Sequence, residues 1–516
     1  RSSDADGYRY GARRYMRKQY APRCRNGEWK LQYFLLSADL SDPDHYFSDL
    51  SSLPDGQDVG PGCTGEEATR KRGTKMINET IRSFLQEHRA DITTTAQRIF
   101  TFAELADEEQ RSSRELGAFL ERSGFSVKYG IGGMPTSLRA EWGNGSPVIG
   151  FLGEYDALPE LDQPPVPYYC GDAAKSGHGC GHNLLGTGAA SAAAAMAAAL
   201  KAEGKSGTVV FYGCPAEEIL KGKVVMAKNG CFRELDAALS WHPAMENRCG
   251  ELAYLAMDSI QFHFHGKAAH ASAAPHRGRS ALDAVELMNV GANYLREHVT
   301  DDVRIHYAHL PNGAKPNIVP AEAGVWYFVR ARERSNVDDV TNRLTDIARG
   351  AGLMTSRSVD WDFLSRGYGT LVNFTLCRLA HDVMIELGHP NFSPEERAFA
   401  TALSENMGST AQDGVLDESF DEPQGKIHYM TGSTDVSDVS QIVPTLNVRT
   451  ACGPKNIVLH SWQFSACAGS DVGRRGMFFA ADVLAQTGWQ LIAKPGLLAR
   501  VKEEFRLHAG EYKPLL

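Results

Sequence analysis

Cysteine is scarce in this sequence, with 10 in 516 residues. That is too thin a supply for the disulfide framework of small secreted domains, so most of the thiols are expected to be free and buried. Long apolar runs are missing as well. The longest weakly polar run, residues 186–200, is mostly alanine and too short to cross a bilayer, so no membrane partner is expected. A basic excess is absent from the body of the chain. Residues 1–30 carry nine Lys/Arg against three Asp/Glu, whereas the whole chain is at −9. Nucleic-acid enzymes usually carry their basic surface on the folded body, so no nucleic-acid partner is expected. No segment has the charged, apolar, small-residue order of a secretory leader, and the expectation is a cytoplasmic protein. What is present, 42% hydrophobic and 23% charged residues, is ordinary for a globular protein of several domain-sized units.

Residues 1–73 read as an N-terminal extension, a basic Tyr/Arg arm followed by an acidic Pro/Gly/Ser-rich linker with little to bury. From about Lys75 the pattern changes. Ile77, Ile81, Phe84 and Leu85 follow helical spacing, and a second helix is predicted over 109–123 with Gly124 as its stop. Short apolar runs at 148–153, 208–213, 237–241 and 445–448 predict buried strands, and an alanine-rich helix is predicted over 184–201. Strands alternating with helices argue for an α/β layer on a mostly parallel sheet. Residues 257–370 have another rhythm: strand, helix, two strands, helix, strand. That is the ferredoxin-like (βαββαβ) order, read as a domain inserted into the first. The expected division is 74–256 and 371–516 for the larger domain and 257–370 for the insert.

Chemistry-bearing residues cluster where the first-layer strands end, the place where open α/β sheets bind ligands. Glu154 and Asp156 follow the first run. Gly177-His178-Gly179-Cys180-Gly181-His182 precedes the alanine-rich helix, with glycines that let alternate side chains converge. Thiolate and imidazole are ligands for a borderline-soft ion. Pro215-Ala216-Glu217-Glu218 follows the next strand. On an extended backbone adjacent side chains point apart, so one carboxylate can face a metal and its neighbour the substrate. Trp241-His242-Pro243 and Leu459-His460-Ser461 add two imidazoles.

These motifs, with the runs GKAAHASAAP at 266–275, PNIVP at 316–320 and GSTD at 432–435, resemble the zinc-dependent aminoacylase/carboxypeptidase family of metallopeptidases. The amidohydrolase branch is the most similar. The resemblance covers roughly residues 75–500. It implies a metal-binding α/β domain with an inserted ferredoxin-like lid and dimerisation domain, and a homodimer. It implies a divalent transition metal, zinc with manganese or cobalt as alternatives, at up to two ions per subunit. Matching residues puts Cys180, His182, Glu218, His242 and His460 at ligand positions, Glu217 at the general base and Asp156 at the supporting aspartate. Glu154 stands where the wider family has a histidine ligand. His270 matches a lid histidine that reaches the partner subunit's site, and Asn317 and Arg330 match residues that hold a substrate carboxylate. The implied reaction is hydrolysis of the amide of an N-acyl amino acid or short dipeptide-like molecule. The alternative is a same-fold enzyme that forms or transfers amides. Loops at 161–169 and 399–427 are expected to shape the pocket.

Overall fold

The computed structural model describes residues 76–407 and 415–515. The extension expected at 1–73 lies outside the described residues. Twelve strands follow in chain order: β1 (Ser126–Tyr129), β2 (Leu138–Asn144), β3 (Val148–Gly153), β4 (Gly207–Gly213), β5 (Ala237–Ala244), β6 (Leu252–Ala253), β7 (Ala256–His265), β8 (Arg304–His309), β9 (Glu322–Ala331), β10 (Ser358–Gly367), β11 (His428–Tyr429) and β12 (Thr445–Ala451).

The larger sheet runs β1-β2-β4-β3-β5-β12. Its four inner and far strands, β4, β3, β5 and β12, are parallel, while β2 and β1 join as an antiparallel edge. This is the mostly parallel sheet the strand–helix alternation predicts. The edge hairpin was not anticipated. Every residue of β4 is buried, as a strand covered on both faces must be, which explains its unbroken apolar run. β5 extends three residues past Trp241, so His242 and Pro243 lie within the strand rather than after it. Pro243 is tolerated there because pairing with β3 ends at Leu239 and only β12 continues alongside.

The alanine-rich helix, His182–Glu203, packs on the sheet alongside the helix Asp471–Ala493, which also touches β5 and β12. Small residues allow that close approach: a Cβ on Gly188 would sit 2.8 Å from the Trp241 ring. At 22 residues this helix is longer than the run the sequence suggested and long enough to span a bilayer, but 94% of its apolar window is buried inside the protein. Burial, not length, identifies it as a core helix.

The second sheet, β10-β7-β9-β8, is antiparallel throughout. Helices Ala281–Leu295 and Arg334–Thr355 cover one face and share a core with it that includes Phe262, Val325, Val285 and Leu344. The opposite face carries Met257, Ser259, Trp326, Phe328 and Arg330 toward a cavity. Residues 399–405, expected as loop, are helical. They belong to helix Pro394–Glu405, opened by a reciprocal Ser393–Glu396 capping box.

Candidate active site

Asp156 organises the strand ends. It is buried just past β3; one oxygen accepts from His182 Nδ1 at 2.8 Å and the other from the Glu218 amide at 2.9 Å. With Nδ1 so engaged, His182 presents Nε2 to the interior of the cluster. Glu217 and Glu218 are aimed by a turn in which Ala216 adopts a left-handed conformation, φ 56°. That backbone is disfavoured for a residue with a Cβ, and Glu109 holds it: this buried carboxylate accepts from the Ala216 amide at 2.8 Å and from Thr136 Oγ1 at 2.9 Å. Burial pushes Glu109 up to about 7. His460 is left-handed too, φ 60°, and its amide donates to Gly179 O at 2.8 Å, pinning the distant 459–461 segment to the Gly-rich loop.

The donors converge. Cys180 Sγ lies 3.4 Å from His242 Nε2, and His460 Nε2 lies 3.4 Å from Glu218 Oε2. Three overlapping groups each bring their donor atoms within 4.8 Å of one another: Cys180, His182 and His242; Cys180, Glu218 and His460; and Glu154, His182 and Glu217. Within this cluster the buried atoms His182 Nε2, Glu218 Oε1 and Glu154 Oε2 make no hydrogen bond, although His182 Nε2 and Glu154 Oε2 face each other at 3.3 Å. Buried polar atoms are rarely left so, and a cation at their centre would satisfy them. The thiol–imidazole–carboxylate set suits a borderline-soft ion, so the residues present fit a bound metal.

The ionisation pattern agrees. Burial pushes the Cys180 thiol up, and Glu218 up to about 7. Burial, then the neighbouring Glu154 and Asp435 charges, hold Glu217 well above its ordinary value. Burial opposes the His182 imidazolium, but Cys180 and Asp156 outweigh it and keep the ring protonated well above its usual range. Burial and then the His182 charge hold His242 well below its usual range. The cluster thus retains protons that a divalent ion would displace, because metal ligands bind deprotonated.

Two placements were not legible in the motifs. Lys223 is fully buried, and its ammonium donates at 2.6 Å to both Glu154 and Asp435 while its amide donates to Asp435 at 2.7 Å. This ties GSTD to the first strand end. A lone lysine reads as solvated, and nothing in the sequence marked this one, which sits in the first turn of the short helix Gly222–Lys228. His178 shares the Gly-rich motif but turns away into the core. It bonds Ile99 O at 3.0 Å, and burial pushes it down to about 4.

A cavity of about 770 Å³ opens between the cluster and the free face of the second sheet. Arg330 lines it. Its Nη1 donates to Thr431 O at 3.1 Å, its Nε has no partner, and no carboxylate among the described residues pairs with it. Arg449, on β12, lines it as well and was not anticipated. The predicted strand stopped at Val448, although the alternation of Asn447 and Arg449 with apolar residues could have marked a polar face. His270 and Asn317 are exposed and do not line this cavity. They sit side by side, the Ala271 amide donating to Asn317 O at 3.0 Å. Among the described residues, none of 161–169 or 399–427 lines the cavity; residues 408–414 of the second loop lie outside the described residues. The described walls come from the strand ends, the second sheet and residues 430–436.

Comparison with known proteins follows the same lines. The pattern of peptidase family M20/M25/M40 matches residues 150–461. One of the two p-aminobenzoyl-glutamate hydrolase chains of Escherichia coli is 36% identical over 459 residues, covering 83% of this chain and 94% of the relative. The Xaa-Arg dipeptidase of Mus musculus is 30% identical, covering 86% of this chain and 94% of that protein. Among solved structures, a dinuclear metal-binding peptidase of the M20 family from Bacillus subtilis superposes with a TM-score of 0.54 at 15% identity, covering 80% of this chain and 99% of that one.

Proposed function

The chain belongs to peptidase family M20/M25/M40, and from that premise we propose that it is a metal-dependent amidohydrolase cleaving N-acyl amino acids or short dipeptide-like amides. The observation that carries this is the convergence of Cys180, His182, Glu218, His242 and His460 on one cavity beside Glu217, with buried donor atoms left unbonded. Those five side chains would hold the metal, zinc in the first instance with manganese or cobalt also fitting, at up to two ions per subunit. When bound, such an ion lowers the pKa of water and polarises the scissile carbonyl.

The chain's own residues do the rest. Glu217 takes the proton of the attacking water and passes it to the leaving amine. Asp156 fixes the His182 ring and the Glu218 backbone. Arg330, with its free guanidinium edge, holds a substrate carboxylate. Residues 257–370 act as a ferredoxin-like insert that serves as lid and dimerisation surface. The exposed positions of His270 and Asn317, away from their own chain's cavity, suit a role in the partner subunit's site. The relatives named for aminobenzoyl-glutamate and for Xaa-Arg dipeptides bracket the substrate range.

The test is to incubate metal-loaded protein with a mixed set of N-acyl amino acids and dipeptides and follow products by mass spectrometry, with elemental analysis in parallel. Free amino acid should appear and should vanish with a strong chelator. Cleavage of nothing in the set, or cleavage unchanged in protein shown to be metal-free, would overturn the reading.

A further inference from the structure

Among the described residues, four hydroxyl side chains line the cavity: Ser259, Ser433, Thr434 and Tyr254. Three are engaged or closed off. Ser259 Oγ accepts from Trp326 Nε1 at 2.8 Å, Thr434 Oγ1 accepts from the Val436 amide at 3.3 Å, and Ser433 Oγ is sealed from water. Tyr254 differs. Its hydroxyl bonds no described residue. It is not sealed either, so it is open to whatever fills the cavity.

The rest of Tyr254 is held in place. It lies between β6 and β7, where the chain enters the second sheet. Its amide donates to Thr370 Oγ1 at 3.0 Å, and its carbonyl accepts from the Thr370 amide at 3.0 Å. The ring lies against Gly432, where a Cβ would sit 3.8 Å from Cδ1, and the Leu255 amide donates to Gly432 O at 3.0 Å. The 432–435 stretch is tied in turn through Asp435 and Lys223 to Glu154, so the ring and the strand-end cluster share one scaffold. Burial raises the phenol above its ordinary range; Arg449 opposes the rise, and the charges of Cys180, Glu217 and Glu154 add to it. Tyr254 thus keeps its proton and stands within reach of the cluster's charges as a neutral donor.

We propose that Tyr254 is a catalytic residue whose hydroxyl donates a hydrogen bond to the carbonyl oxygen of the scissile amide as that oxygen gains negative charge. This rests on the amidohydrolase reading and adds a residue to its machinery. The charge develops beside Glu154, Glu217 and Glu218, which line the same cavity and oppose it. A preset donor in a site closed to water offsets that repulsion. The phenol gives up no proton; Glu217 alone carries the proton from the attacking water to the leaving amine. His270 lies outside this cavity, so Tyr254 supplies a donor from the chain that carries the cluster.

Tyr254→Phe removes the hydroxyl and leaves the ring against Gly432. On the amide of the mixed set that wild-type protein cleaves fastest, kcat should fall roughly 10²- to 10³-fold, the worth of one such donor. KM, metal content and melting temperature should stay near wild type. Calorimetry of metal-loaded protein reads the same bond without turnover. Its probes are the phosphinate isostere of that amide, whose tetrahedral oxygens copy the charged state, and the free amino acid product. The variant should lose phosphinate affinity by a factor close to its loss in kcat/KM while its affinity for the product holds. The ratio of the two affinities is taken within one protein, so a less stable variant is read on the same scale. A kcat near wild type overturns the inference. So does a loss matched by lost metal, or by equal weakening of both probes, either of which would make Tyr254 part of the scaffold. All three outcomes leave the hydrolase standing. If wild-type protein cleaves no amide of the set, the hydrolase reading falls and the inference falls with it.

Discussion

The strand-end cluster and the open face of the second sheet border the same cavity but are built differently. In the cluster the scaffold behind the donor atoms is tied together, while His182 Nε2, Glu218 Oε1 and Glu154 Oε2 themselves make no hydrogen bond. Asp156 holds both His182 and the Glu218 backbone, Glu109 holds the turn before Glu217, and Lys223 holds Glu154 to Asp435. On the sheet face, Arg330 has one backbone partner and an Nε without one, while His270 and Asn317, in loops beyond the strands and outside the cavity, are exposed. Bond making requires groups preset to within tenths of an ångström, so the cluster is over-determined by its own chain. The recognition face keeps polar atoms without a protein partner, as a surface that awaits a ligand would.

That contrast can be broken most severely at Lys223. Lys223→Met strands two buried carboxylates and is expected to cost about 3–5 kcal/mol, read by denaturant unfolding. Adding Glu154→Gln and Asp435→Asn should recover most of it. A loss under about 1 kcal/mol, the size of an exposed pair, would mean that the cluster is not over-determined. Glu217→Gln touches chemistry and not scaffold. It should keep metal and melting temperature while turnover falls roughly 10²- to 10⁴-fold. Turnover near wild type would assign the base elsewhere.

The sheet face should respond across subunits. Mixing Glu217→Gln with His270→Ala protein should restore part of the activity that each lacks, because one hybrid site would be intact. Verified heterodimers without recovery would place His270 outside the partner's chemistry. A pH-dependent effect is expected at the seam between the regions, where Asp438 accepts from the Tyr368 amide at 3.1 Å, just past β10, and from Tyr512 Oη at 3.0 Å. Burial raises Asp438 from 3.8 to about 7. The folded chain therefore keeps this proton at pH values where the unfolded chain has lost it, and stability falls as pH rises from about 4 to about 7. Asp438→Asn should flatten that decline in melting temperature. An unchanged slope would mean that Asp438 ionises normally.

The legible parts of this molecule are those in which one local pattern carries the information. Unbroken apolar runs predicted β3, β4, β5 and β12, because a strand covered on both faces has no polar side. Glycine-spaced Cys180 and His182 marked the loop before the long helix. The helix Asp471–Ala493 escaped notice: its buried side includes Gly473, Gly476, Gly488, Thr487 and Gln490, and small or polar residues blur an amphipathic stripe. Lys223, Glu109 and Arg449 were hidden for a related reason. Each is a charged residue that sequence assigns to solvent by default, and only the partner brought from far along the chain reveals that it is buried.

Lys223 also bears on how such a chain can change over descent. Positions 154, 223 and 435 share one buried cluster of a single cation and two carboxylates, so loss of Lys223 alone leaves two ions without their counterpart, whereas a neutral residue at 154 or 435 still leaves the lysine one partner. Replacement of the lysine is therefore open only together with both carboxylates. Sequences diverging from this one should therefore vary at these positions in concert, although 69 and 212 residues separate Lys223 from its two partners along the chain.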